Sequence, residues 1–271
     1  MDILFVRHAS SCSNVTTLSM SRDKKLHTDL PSLSDFGLLQ IKQIREKTPN
    51  IRPMLRQRQV ITCSPMVRAM ETASFLYPKR SKIYVLPYMD EVPSRGYVET
   101  YNGDDTESVR GSKSKLMNIL KSHGHKTSKF DWSIHDMLTG GSFKIPDVGV
   151  FIRTVEPYLK SKFKNKKITC VSHGNWMTEY LRRHKKLRII LSEPKYMPES
   201  CQARLKSNKI GNCGMFNILP NSSINHVYET NGVSDGDSCI LVDKKRHPKS
   251  LKKKHVRRCS NVHVRSMPEL E

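Results

Sequence analysis

Apolar positions along the chain follow two rhythms. Short apolar runs bounded by polar or turn-forming residues predict strands at Ile3–Val6, Gln59–Cys63, Lys82–Leu86, Lys167–Val171 and Met215–Leu219. Between them, helical spacing predicts helices over Asp35–Lys47, Met66–Leu76, Glu107–Lys121, Val148–Phe163 and Trp176–His184. In the fourth helix Val148, Phe151, Ile152, Val155 and Leu159 share one face, and Pro157, which has no N–H to donate, predicts a kink or a restart. Strands alternating with helices predict an α/β fold, a three-layer sandwich whose mainly parallel sheet carries helices on both faces.

Two stretches break the pattern. Tyr97–Gly111 is rich in Gly, Asp, Glu and Ser, and His123–Ile145 mixes Gly, His, Lys and Ser with few apolar anchors. They read as irregular loops, and a loop insertion at about 97–146 is expected within a domain spanning 1–243. From Lys244 to Glu271 ten Lys/Arg face two Glu, and this basic tail, 244–271, is expected to be disordered. It holds only part of the formal net charge of +22, so the body is basic as well. Such a balance favours anionic partners. The tail suits non-specific binding to nucleic acid or another acidic partner by counterion release, or a nuclear-import signal; it has no aromatic residue for base stacking. The seven cysteines show no CxxC pair, so reduced thiols, Cys12 among them, are the expectation. No run approaches the ~20 apolar residues of a membrane span. The N-terminus lacks a basic segment followed by a long apolar one, which makes the cytoplasm the expected location, with nuclear entry open through the tail.

The chemistry concentrates where the predicted strands end, the edge at which open α/β sheets bind ligands. Arg7 and His8 follow the first strand. Ser64, Pro65 and Arg68 follow the second, Asp90 and Glu91 the third, and Ser172, His173 and Gly174 the fourth. Two arginines can clamp a tetrahedral phosphate through charge-assisted bonds. A neutral imidazole can attack phosphorus, a second can donate to the phosphoryl oxygens, and a carboxyl group can protonate a leaving alkoxide. Phosphoryl transfer asks chiefly for such positioning and charge neutralisation.

These segments resemble the histidine phosphatase superfamily, the phosphoglycerate-mutase-like proteins. Val6-Arg7-His8-Ala9 resembles the Arg-His-Gly signature, with Asn14 where that signature has an Asn. Leu33–Gln40 resembles the Leu-Thr-x-x-Gly-x-x-Gln segment, Ser64–Ala73 the Ser-Pro-x-x-Arg-Ala-x-x-Thr-Ala segment, and Val171–Gly174 the second His-Gly motif. Asn212-Cys213 is similar to the entry of the last strand, and the likeness runs over about Met1 to Leu219. The resemblance implies a phosphoglycerate-mutase-like fold with His8 as the nucleophile. It implies a phosphate pocket of Arg7, Arg68 and His173 assisted by Asn14, and Glu91 as general acid. It also implies a phosphomonoesterase that works through a phosphohistidine on a small phosphorylated metabolite or a phosphoprotein, with no metal and no organic cofactor.

The chain departs from the family at Ala9, where Gly is usual and where a Cβ can disturb a close backbone approach. It departs again at Ser10-Ser11 and around Glu91, so that Asp90, Glu99 or a carboxylate of the insertion remain alternatives for the acid. A phosphoglycerate-type mutase and a catalytically silent phosphate- or phosphoprotein-binding module are the rival readings. His123 and His125 read as solvated loop histidines, and Leu33–Gln40 as structural, with Ser34 capping a helix.

Overall fold

The computed structural model describes residues 2–12, 30–47, 51–91, 112–183, 189–191, 213–218 and 224–228. Its strands are β1 (Asp2–Arg7), β2 (Val60–Cys63), β3 (Ile83–Val85), β4 (Phe130–Asp131), β5 (Lys167–Ser172), β6 (Ile189–Leu191), β7 (Met215–Ile218) and β8 (Ile224–Tyr228). They form one sheet in the order β4-β3-β2-β5-β1-β7-β8-β6. The block from β4 to β1 is parallel throughout, whereas β7 runs antiparallel to both β1 and β8.

Side chains alternate across this sheet, so each strand feeds two cores. Leu4, Val6, Ile61, Cys63 and Val171 point to the layer made by the helices Asp35–Lys47, Ile51–Arg56, Val67–Leu76 and Lys113–Ser122. Ile3, Phe5, Ile168, Cys170 and Phe216 point to the opposite layer. That layer comprises Ser133–Thr139, the helical run from Val148 to Lys162, and Gly174–Arg183, where Trp176 and Tyr180 stack around Phe5. The expected three-layer α/β architecture is therefore present. Among the described residues no helix is long and apolar enough to cross a membrane.

Several elements differ from the pattern-based expectation. The run Val148–Lys162 is not a uniform helix: an α-helical turn, Val148–Val150, leads into a π-helical segment, Phe151–Val155, and α-helix resumes at Glu156–Lys162. Pro157 sits in the first turn of that last piece, where its missing N–H costs least. The wider π turn is closed by the Glu156 N–H donating to the Phe151 carbonyl. The stretch His123–Ile145, expected to be irregular, carries the edge strand β4 and the helix Ser133–Thr139. Few anchors suffice there because Phe130, Ile134 and Phe143 are all buried. The helix Lys113–Ser122 begins at its Ser112 cap, later than expected; Tyr97–Gly111 and the tail 244–271 lie outside the described residues. Cys12 is disulfide-bonded, against the expectation of a reduced thiol.

Candidate active site

The loop after β1 is held from three sides. The His8 N–H donates to the Ser172 carbonyl at 2.8 Å, which carries the β1–β5 pairing one residue past the strand. The Cys213 N–H, at a left-handed φ of 60°, donates to both the Arg7 and His8 carbonyls (3.1 and 3.2 Å). The Ala9 N–H donates to Thr72 Oγ1 at 3.0 Å, and the Ser10 N–H to Gln40 Oε1 at 2.9 Å. The Ser10 carbonyl accepts from both the N–H and the hydroxyl of Ser34 at 3.0 Å. Ser34 also caps the helix Asp35–Lys47 by accepting from the Gly37 N–H at 3.1 Å. The Leu33–Gln40 segment therefore does more than cap and pack, because it supplies the hydrogen bonds that fix the loop carrying His8. The Ala9 methyl is fully buried in the core, so the Cβ that stands in place of Gly is accommodated.

His8 is buried and its two ring nitrogens have opposite roles. Arg68 Nε can only donate, and it lies 3.1 Å from His8 Nε2; the Ala9 carbonyl can only accept, and it lies 2.7 Å from Nδ1. Nδ1 therefore carries the proton and Nε2 the lone pair. Burial, then the charges of Arg68 and Arg7, push the imidazole well below its ordinary pKa, against the opposing Ala9 bond. His8 is thus a neutral base with Nε2 facing Arg68.

The carboxyl group is placed by the loop after β3. Trp176 Nε1 donates to the Tyr88 carbonyl (2.7 Å) and Ser172 Oγ to the Met89 carbonyl (2.8 Å), with Tyr88 at a left-handed φ of 62°. Glu91 then accepts from the Asn175 N–H at 3.2 Å, while its other oxygen lies 3.7 Å from Arg68 Nη2 and 3.6 Å from His173 Nδ1. Burial raises the Glu91 pKa, and the charges of Arg68 and Arg7 only partly offset it. The shift is toward the protonated form, the form from which a carboxyl group donates a proton.

His173 is fully buried and its ring centroid lies 5.0 Å from that of His8. Ser64 Oγ stands 2.9 Å from His173 Nε2 and donates to Asp90 Oδ1 at 2.7 Å. Asp90, one of the alternatives for the acid, is thus engaged behind His173. Arg7 lies against Gly174: a Cβ there would meet the guanidinium carbon and Nε at 2.9 Å, so the bare backbone is what lets it lie flat.

The structure thus brings together Arg7, His8, Arg68, Glu91 and His173 at the carboxyl edge of the sheet. Asn14 and Glu99 lie outside the described residues. Ser64, Gln40 and Thr72 were visible only as motif letters, since a side chain's hydrogen-bond partner across the fold has no local signature. His123 and His125 are not solvated loop residues: His123 Nδ1 lies 2.9 Å, and His125 Nε2 3.4 Å, from an oxygen of the buried Glu71. His8, Glu91 and His173 also bring ligand atoms within 4.8 Å of one another, a spacing that can hold a metal ion. The guanidiniums of Arg7 and Arg68 beside them favour an anion instead.

No protein-family model and no curated protein matches the chain. Solved structures do. A phosphoserine phosphatase from Entamoeba histolytica in complex with phosphoserine is 17% identical, with 80% of this chain and 90% of that chain covered and a TM-score of 0.43. A mycobacterial glucosyl-3-phosphoglycerate phosphatase is 16% identical over 82% of this chain and 95% of that chain, at a TM-score of 0.43. The ecdysone phosphate phosphatase of Bombix mori, in complex with tungstate, is 14% identical over 81% and 89%, again at 0.43. All three are phosphatases.

Proposed function

We propose that the chain is a phosphomonoesterase of the histidine phosphatase type. The observation that carries this reading is the state of His8: a buried, neutral imidazole whose unprotonated Nε2 faces Arg68, with Glu91 across the same pocket. In the reaction a phosphate monoester enters between Arg7, Arg68 and His173. The Arg68 Nε–H moves from His8 to a phosphoryl oxygen, and Nε2 attacks phosphorus in line with the leaving oxygen. The P–O bond to the alcohol breaks as Glu91 protonates the alkoxide. The ring gains positive charge as it is phosphorylated, and the Nδ1–H bond to the Ala9 carbonyl stabilises it. Glu91, now ionised, takes a proton from water as its oxygen attacks phosphorus; the P–Nε2 bond breaks, releasing inorganic phosphate and returning His8 to its starting tautomer. Asn14 joins the phosphate ligands in this reading, and the substrate is a small phosphorylated metabolite or a phosphoprotein. The basic tail provides a separate electrostatic hold on nucleic acid or an acidic partner, and the protein works in the cytoplasm or nucleus.

The test is phosphate release across sugar phosphates, nucleotides and phosphopeptides, with wild type beside His8→Ala. Loss of about a thousandfold or more in the variant is expected. Full activity in His8→Ala would refute the mechanism. Binding of phosphate without release from any ester would point to the silent module, and isomerisation of a phosphoglycerate without net release to the mutase.

A further inference from the structure

We propose that His173 works as an imidazolium when phosphate is bound, and that Ser64 and Asp90 are positioning residues that make it one; this rests on the phosphatase reading of the site. The argument is proton counting. Ser64 has a single hydroxyl proton, and it is directed to Asp90 Oδ1 at 2.7 Å. The 2.9 Å contact between Ser64 Oγ and His173 Nε2 must then take its proton from the imidazole. Nε2–H is thereby assigned, and Nδ1 is the nitrogen on the side of Glu91, 3.6 Å from its Oε2. An Nδ1 that carries no proton would set a lone pair against a phosphoryl oxygen. For His173 to donate to phosphate, Nδ1 must be protonated as well, and the ring is then a cation.

The surroundings bear on that cation from each side. Ser64 and His173 are fully buried and Asp90 nearly so, which strengthens their coupling because little water screens it. From the loop after β3, Asp90 favours the charged ring, as does Glu91 only once it is ionised; from β1 and the helix Val67–Leu76, Arg7 and Arg68 oppose it, and the neighbouring His8 is neutral. Without a ligand these influences compete. A bound phosphate dianion tips the balance, so His173 takes up one proton from solvent as the anion binds and donates it as a hydrogen bond rather than transferring it. Asp90, ordered behind Ser64, serves to keep the charged ring in this orientation, with Nε2 turned away from the phosphate.

The experiment is nitrogen NMR of the full chain with labelled histidine, titrated with inorganic vanadate and, separately, inorganic phosphate. Neither needs turnover. In the complex both His173 nitrogens are expected to carry protons at neutral pH. In Asp90→Asn the ring should lose its second proton at a pH lower by about one unit or more. Ser64→Thr, which keeps a hydroxyl, should preserve the wild-type signature, whereas Ser64→Ala should not. A neutral His173 in the complex, whichever nitrogen keeps the proton, would overturn the proposal, as would an Asp90→Asn titration that coincides with wild type. Failure of the wild type to bind either anion would instead bring down the phosphatase reading, and this inference with it.

Discussion

His8 and Glu91 are displaced from their ordinary pKa values in opposite directions, although burial drives both. Burial disfavours a charged form, which is the protonated state of an imidazole and the ionised state of a carboxyl group. The two arginines add to the effect at His8 and subtract from it at Glu91. The expected pH dependence follows. The attacking form of His8 is neutral and its pKa is depressed, so activity rises as pH climbs through a value well below 6.5. The donating form of Glu91 is protonated and its pKa is raised, so its contribution falls as pH climbs through a value above 4.5. Glu91→Gln should lower kcat on alkyl phosphomonoesters by about a hundredfold to ten-thousandfold. The loss should be far smaller on p-nitrophenyl phosphate, whose leaving group departs without a proton. An equal loss on both substrates would argue against Glu91 as the acid.

At the scale of elements, the approach of the helix Asp35–Lys47 to the His8 loop is set by Gly37. A Cβ there would stand 2.2 Å from the Ser10 carbonyl oxygen, a backbone atom that cannot turn aside. Replacing a helical Gly by Ala ordinarily stabilises by about 1 kcal/mol. Here the overlap forces helix and loop apart, at a cost of about 1–3 kcal/mol, so the steric effect is expected to win. Gly37→Ala should therefore lower the denaturation midpoint and reduce phosphate release together, because the bonds from Ser34 and Gln40 to Ser10 hold His8 in place. A variant as stable and as active as wild type would show that this contact does not control the loop. The Gly-x-x-Gln spacing was legible in the sequence, and so was the Ser34 cap. Their target was not, since Ser10 lies on another element and the bond exists only once helix and sheet have packed.

Across the whole molecule, Glu71 ties three regions together. Its carboxyl group accepts from the Leu33 N–H at 2.6 Å and contacts His123 and His125 from beyond the helix Lys113–Ser122. Burial raises its pKa, but the bonds from His123, His125 and Leu33 outweigh that and leave it at about 2. A depressed carboxyl pKa contributes stability that is present above the unfolded value and lost as pH falls through the folded one. The contribution, on the order of 3 kcal/mol, should disappear between pH 4.5 and about 2. Glu71→Gln should be destabilised at neutral pH and lose less further stability over that window; parallel acid denaturation curves would contradict this. The other whole-molecule expectation concerns charge. Deleting residues 244–271 should leave phosphate release intact and reduce both the affinity for nucleic acid and its dependence on salt. Undiminished binding after truncation would remove the tail from that role.

The sequence by itself determined the α/β class, the strands of the parallel block except the two-residue β4, and the residues that stand at their carboxyl ends. Those features are local: apolar periodicity, turn residues, and motif letters a few positions apart. The tertiary structure decided which nitrogen of His8 is bare, that Asp90 is engaged by Ser64, that the helix Val148–Lys162 passes through a π turn, and that His123 and His125 close on Glu71. Each of these depends on groups distant in sequence meeting at hydrogen-bond range, where the partner rather than the residue type sets protonation and role. Burial then fixes the direction of each shift, and burial is a property of the packed fold.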